Sequence, residues 1–236
     1  MMRIENNIRA CILIIFMKNK ISSIQKMLNT WAIVLIIWAL YRTYFKTSLP
    51  LWFDELFAKP IIFLIPVYYF ITTYESDDFW KQVDLKTQKI RHHIMFGLGI
   101  GFIFFVTGFI VQYVKNGNFN FLTTTSVMQI IYYCIIAFAS SFSEEILSRG
   151  FVLKRLYNDS KSVLSSVFFA SFLFFFLHIP ILFTNPHLYG NVLIQVMATD
   201  ILLSFAVSLL YLQRRSVIVP ILIHAFYNLS IYLLVS

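Results

Sequence analysis

Seven apolar stretches, each close to the roughly 20 residues that a helix needs to span a bilayer, constrain this chain more than any other feature. They cover residues 28–45, 56–74, 93–114, 124–143, 163–180, 190–211 and 217–235 of the 236. Only 13% of the residues are charged and 59% are hydrophobic, against about 25% charged in soluble domains. With 26 Phe and 13 Tyr and a mean hydropathy of +0.75, the chain has too little polar surface to cover itself in water. The spacing predicts an all-α, polytopic transmembrane bundle of about seven spans, and a soluble enzyme or disordered chain is a poor fit.

Charged or turn-rich segments such as Glu75 to Arg91 and Lys115 to Asn120 separate the spans. Pro60 and Pro66 predict a kink or break in the second. Residues 10–17 form an apolar run of about half the spanning length, with no small-residue cleavage site after it. It reads as an interfacial lead-in and not a signal peptide. Cys11 and Cys134 lie in apolar sequence and cannot build a disulfide framework, and the terminal Leu-Leu-Val-Ser holds no cysteine to prenylate. With no repeat or linker, the expected organisation is a cytoplasmic or interfacial segment 1–27, three peripheral transmembrane helices in 28–123 and a four-helix core in 124–236.

The net charge of +8 would point to nucleic acid in a soluble protein, but here it marks loops. Fifteen Lys and Arg fall in the N-terminal segment and the second-to-third, fourth-to-fifth and sixth-to-seventh connections, among them Arg149, Lys154, Arg155 and Lys161. Arg42, Lys46, Lys59 and Lys115 make four on the other side. The positive-inside rule then places the N-terminus in the cytoplasm and the C-terminus outside. Lys154, Arg155 and Lys161 are expected to meet anionic head groups.

Ionisable groups inside spans are costly and are functional candidates by default. Ser141-Phe142-Ser143-Glu144-Glu145-Ile146-Leu147-Ser148-Arg149-Gly150 places Glu145 and Arg149 one helical turn apart, able to pair, and leaves Glu144 on a neighbouring face. The fifth span carries His178, and the seventh carries His224 and Asn228 on one face. Counting about 1.5 Å of rise per residue puts Glu144 about 16 Å and His224 about 14 Å from the nearest cytoplasmic charges, with His178 at about 18 Å if its span starts at Ser166. The three can converge near the midplane. A buried carboxylate can take a proton from water, a histidine can orient that water, and a second histidine with an amide can stabilise an oxyanion. Alternatively Glu144, His178 and His224 could bind zinc, although no H-E-x-x-H helix is present.

Three motifs in order, Glu144-Glu145-x-x-x-Arg149-Gly150, Phe174-x-x-x-His178 and Pro220-x-x-x-His224-x-x-x-Asn228, resemble those of the CAAX-protease and bacteriocin-processing family (CPBP, or Abi) of intramembrane endopeptidases. The resemblance covers roughly residues 124–230. It implies Glu144 as general base and His178 as the group that positions water. It also implies an oxyanion site at His224 and Asn228, with Glu145 and Arg149 in support. The family is often labelled metalloprotease, so zinc stays open as a cofactor. Ser148 stands where an aromatic residue is common, and Asp200 is an unusual acid in the sixth span.

Taken singly, Asn228 and the histidines would be interhelical hydrogen-bonding groups. Five costly groups in four helices exceed what adhesion requires. Asp200 reads first as an acid hydrogen-bonded to a neighbouring helix, with a site role as the minor reading. His92, His93 and His187 read as solvated, and the Phe-rich stretch 168–176 as lipid-facing or packing surface. The expected function is hydrolysis of a peptide bond in a peptide or membrane-anchored protein, with no nucleic-acid partner. The implied setting is bacteriocin maturation, self-immunity or CAAX-type processing, and the Ile, Phe, Lys and Asn usage weakly favours a bacterial cell membrane. The rivals are a non-catalytic immunity or partner-binding protein and a small transporter, the latter disfavoured by the lack of a repeat between halves. The topology predicts that a reporter active only in the cytoplasm works when fused at the N-terminus and fails at the C-terminus. The reverse pattern would overturn it.

Overall fold

The computed structural model describes residues 22–45, 49–85, 88–117, 125–184 and 190–235, which are helical with no strand among them. In hydrocarbon each backbone N–H and C=O must find its partner within the segment, and a helix does this. The helices are α1 (Ser23–Phe45), α2 (Leu51–Glu75) and α5 (Val127–Ser160), with the short α3 (Phe79–Gln82) and α4 (Ile90–Asn116). After them come α6 (Val163–Thr184), α7 (Gly190–Arg214) and α8 (Ile218–Val235). Six are long and apolar enough to cross a membrane, and the apolar Ile218–Leu233 is a shorter seventh. The chain is thus a multi-pass helical membrane protein. The apolar run 10–17, Cys11, Lys46 and His187 lie outside the described residues.

Local sequence sets several helix ends. The Ser22 side chain accepts from the Gln25 N–H to start α1. Ser126 and Gln129 cap each other's backbone N–H to start α5, a reciprocal arrangement that satisfies two otherwise orphaned donors. Lys161 and Arg215 take left-handed φ values after α5 and α7.

Large apolar side chains point outward on most helices, as expected where lipid is the solvent. Ile33, Ile36, Ile61, Ile65, Phe102, Ile103, Phe168, Phe169 and Phe172 are all exposed. The interior reverses that pattern, because Arg149, Glu145, Lys59, Ser141, Ser204 and His224 are buried. Within the Phe-rich stretch, Phe168, Phe169 and Phe172 face out while Phe174 is buried.

α5 is the central helix. Every residue from Ser143 to Leu153 is buried. The expected loop after residue 143 does not form there, and the helix continues to Ser160. Its turns widen into a π-helical stretch over Ile146–Leu153, closed by the Lys154 N–H on the Arg149 carbonyl. Arg149, counted above as a loop charge, is therefore buried within the helix. Its partner Glu145 cancels its charge, so this polar run does not have to leave the bundle.

Two further expectations are corrected at the end of α5. Arg155 does not reach for head groups: it is buried, donates to both Glu75 carboxylate oxygens (2.9 and 2.6 Å) and stacks on Phe151 and Phe70. Lys154 donates to Asp84 Oδ1 (3.0 Å) and to the Gln82 carbonyl (2.8 Å). Asp84 in turn accepts from the Tyr211 hydroxyl (2.7 Å). These bases pin the segment after α2 to α5 and α7.

Close approaches between helices occur at glycine. A Cβ added at Gly101 would lie 2.6 Å from Phe226 Cδ2 and 3.2 Å from the Leu222 carbonyl oxygen, so α4 and α8 pack backbone to side chain there. A Cβ at Gly150 would meet the Val83 carbonyl oxygen at 2.8 Å and Val83 Cβ at 2.9 Å. Because the Gly150 neighbour is backbone, it cannot swing aside. Gly150→Val should lower stability by about 1–3 kcal/mol, the usual cost of overpacking a tight contact. Thermal unfolding in detergent would check this, and an unchanged midpoint would contradict the packing.

Candidate active site

The site is built around Glu144, at the point where α5 passes from regular helix into its wide turns. Its carboxylate is buried, and its two oxygens have different surroundings. Oε1 accepts from the Lys59 ammonium (2.7 Å) and the Ser140 hydroxyl (3.1 Å), and Lys59 also donates to Ser140 Oγ (2.7 Å). Oε2 accepts no hydrogen bond among the described residues. It faces His178 Nε2 at 3.6 Å and His224 Nε2 at 3.7 Å.

The two imidazoles are held from behind, each through Nδ1. His178 Nδ1 lies 3.2 Å from the Phe174 carbonyl, one turn earlier in α6. A carbonyl only accepts, so Nδ1 carries the proton and Nε2 of the neutral ring is an acceptor. His224 Nδ1 lies 2.8 Å from Glu145 Oε1. That carboxylate only accepts, so it takes the hydrogen bond from Nδ1–H and fixes the orientation of the ring. The Phe174 ring packs against both imidazoles, at centroid distances of 4.6 Å to His178 and 5.8 Å to His224.

Glu145 and Arg149 pair as the spacing predicts, with Nη1 2.8 Å from Oε1. Arg149 Nη2 donates to the Ser204 hydroxyl (2.9 Å) and carbonyl (3.3 Å) on α7. Its guanidinium lies over the Phe174 ring at 4.4 Å. One arginine thus ties α5, α6 and α7 together behind the histidines.

Asn228 follows His224 by one turn of α8. Its Nδ2 donates to Ser141 Oγ (3.1 Å), three residues before Glu144. Asp200 accepts from the Tyr227 hydroxyl on α8 at 3.3 Å, the interhelical hydrogen bond expected of it. It is also near enough to His178 and His224 to interact electrostatically. His92 is exposed and lies 3.2 Å from Arg214 Nη1.

Sequence reasoning missed Lys59. It was counted as an outward loop charge, yet it is buried and pairs with Glu144 and Glu55. The local backbone explains how it turns inward. The Lys59 N–H bonds five residues back to the Asp54 carbonyl, closing a wide turn over Asp54–Ala58. Pro60, next in line, has no N–H to continue the regular ladder. The signal was available, because Lys59 falls inside the apolar stretch 56–74, where an unpaired cation is expensive. α1 adds support through the Trp38 indole, which donates to the Leu177 carbonyl beside His178 (3.2 Å) and lies under the Lys59 ammonium (5.6 Å).

A zinc ion held by Glu144, His178 and His224 does not fit this arrangement. Among the described residues no group of three His, Cys, Asp or Glu side chains is placed to hold a metal ion. The Lys59 ammonium also fixes a positive charge on the same carboxylate.

Fold and site together define a polytopic membrane protein with a buried acid–base cluster drawn from four helices. Residues 124–230 match the family described as type II CAAX prenyl endopeptidase Rce1-like. Over this segment, just under half of the chain, it is similar to the CAAX-protease (CPBP) family of intramembrane endopeptidases. No curated protein and no solved structure matches the chain.

Removing Arg149 leaves Glu145 buried against His224 without its counter-charge, and breaking a buried pair from one side costs about 3–5 kcal/mol. Arg149→Met should therefore destabilise the protein by that amount in detergent unfolding, while Ser204→Ala should cost about 1 kcal/mol. Equal effects from the two would contradict this reading of the pair.

Proposed function

We propose that the protein is a glutamate-dependent intramembrane endopeptidase in which Glu144 is the general base. The observation that carries this reading is the division of labour on one carboxylate. Oε1 is tethered, whereas Oε2 faces the two imidazole Nε2 atoms at 3.6 and 3.7 Å. A water molecule there donates one O–H to Glu144 Oε2 and the other to His178 Nε2. Glu144 takes the first proton as the water oxygen attacks the scissile carbonyl carbon. Negative charge develops on the carbonyl oxygen, which His224 in its protonated form and the Asn228 amide stabilise. The tetrahedral intermediate collapses as the C–N bond breaks, and Glu144 returns its proton to the leaving nitrogen. The products are a carboxylic acid, ionised at neutral pH, and an amine. No step needs a metal.

The substrate in this reading is a peptide or a membrane-associated protein cut near the bilayer. The family's printed description favours a prenylated C-terminus; bacteriocin maturation or self-immunity is the bacterial setting proposed from the sequence alone. The N-terminus is cytoplasmic, and the site opens to the cytoplasmic leaflet.

Membrane-protein termini compared by mass spectrometry in cells carrying wild type, Glu144→Ala or Asp200→Asn test the proposal. Termini present with wild type and Asp200→Asn but lost with Glu144→Ala are expected, and they name the scissile bond. A set of termini indifferent to Glu144→Ala, in cells whose phenotype also survives that change, would overturn the protease in favour of a partner-binding protein.

A further inference from the structure

Lys59 sits where two carboxylates from different helices meet. Its ammonium is 2.7 Å from Glu144 Oε1, pairs with Glu55 one turn earlier in α2, and donates to Ser140. All four side chains belong to buried or largely buried residues. A lone ammonium here would be prohibitively desolvated, so the group exists only as part of this bridge.

We propose that Lys59 is a positioning residue for the general base, and that Glu55 is its fixed counter-ion. The inference rests on the reading of Glu144 as that base. Two physical consequences of the bridge support it. The first is geometric: with Oε1 held by an ammonium and a hydroxyl, the carboxylate cannot rotate, and Oε2 alone is presented to the imidazoles. The second is a matter of charge. Glu55, Lys59 and Glu144 together carry one net negative charge. When Glu144 takes a proton from water, Lys59 keeps its charge and stays paired with Glu55. The base can therefore be neutralised for part of each turnover without stranding a buried cation. A lysine paired with Glu144 alone would lack this property, because protonating the glutamate would leave the ammonium uncompensated in the bundle.

The test separates positioning from simple charge compensation. Lys59→Met leaves two buried carboxylates unpaired and should both destabilise the protein and lower turnover. Lys59→Met combined with Glu55→Gln restores the wild-type net charge of the trio but not the tether on Oε1. Full-length variants are expressed in cells, and their rates of producing the Glu144-dependent termini are followed alongside thermal unfolding in detergent. The double variant should regain most of the lost stability while its rate stays roughly 100-fold down, the scale of penalty for a misplaced catalytic group. Lys59→Arg, which can still donate to Glu144, should recover part of the rate.

A double variant that regains the wild-type rate would overturn the proposal and leave Lys59 a charge compensator. A rate for Lys59→Met equal to wild type would overturn it as well. If no terminus depends on Glu144 at all, the protease reading fails first, and this inference falls with it. That outcome is distinct from termini that need Glu144 and ignore Lys59.

Discussion

Burying charge in a bundle surrounded by lipid is the constraint on which the rest of this structure depends. Glu144, Glu145, Arg149, Lys59, Glu55 and His224 lie in the interior, where each would be costly alone. They are tolerable because they form two bridges. Glu145 holds Arg149 and His224, and Lys59 holds Glu144 and Glu55. The bridges join helices distant in sequence, so the groups that make the site chemically interesting also clamp α2, α5, α6, α7 and α8 around it. Stability and site geometry are the same interactions seen from two sides.

The wide turns fit this picture. Regular helix would carry successive side chains around the axis at a fixed angle. The π-helical stretches over Asp54–Ala58 and Ile146–Leu153 alter that angle next to Lys59 and just after Glu145. π-Bulges recur at functional sites because they re-aim a side chain without breaking the helix. In α2 the cause is visible in Pro60. In α5 the widening accompanies the close approach of Val83 to Gly150.

The helical class and the number of spans were legible in the apolar stretches, because a bilayer allows one length and one secondary structure for them. The pairing of Glu145 with Arg149 was legible from their spacing, since i, i+4 neighbours share a face. The separation of Glu144 from that pair was legible too, as adjacent residues point apart. The end of α5 was not, because a run containing Glu144, Glu145 and Arg149 reads as a boundary until the charges are seen to cancel. Lys59 and Arg155 were misplaced for a related reason. Loop counts treat every base near a span end as solvated, whereas Glu144 and Glu75, 85 and 80 residues away in sequence, draw these two inside. Such partners cannot be assigned without knowing which helices are neighbours.

The central claim is that Lys59 on α2 and Glu144 on α5 are bonded to each other inside the membrane, and a double-mutant cycle on stability tests it most directly. Lys59→Met, Glu144→Gln and the combined variant would be unfolded in detergent beside wild type. Residues sharing a buried ion pair are expected to couple by about 0.5–3 kcal/mol, so the combined variant should lose clearly less than the sum of the two single losses. Additive losses, within about 0.5 kcal/mol, would mean that the two groups do not meet and would contradict the account.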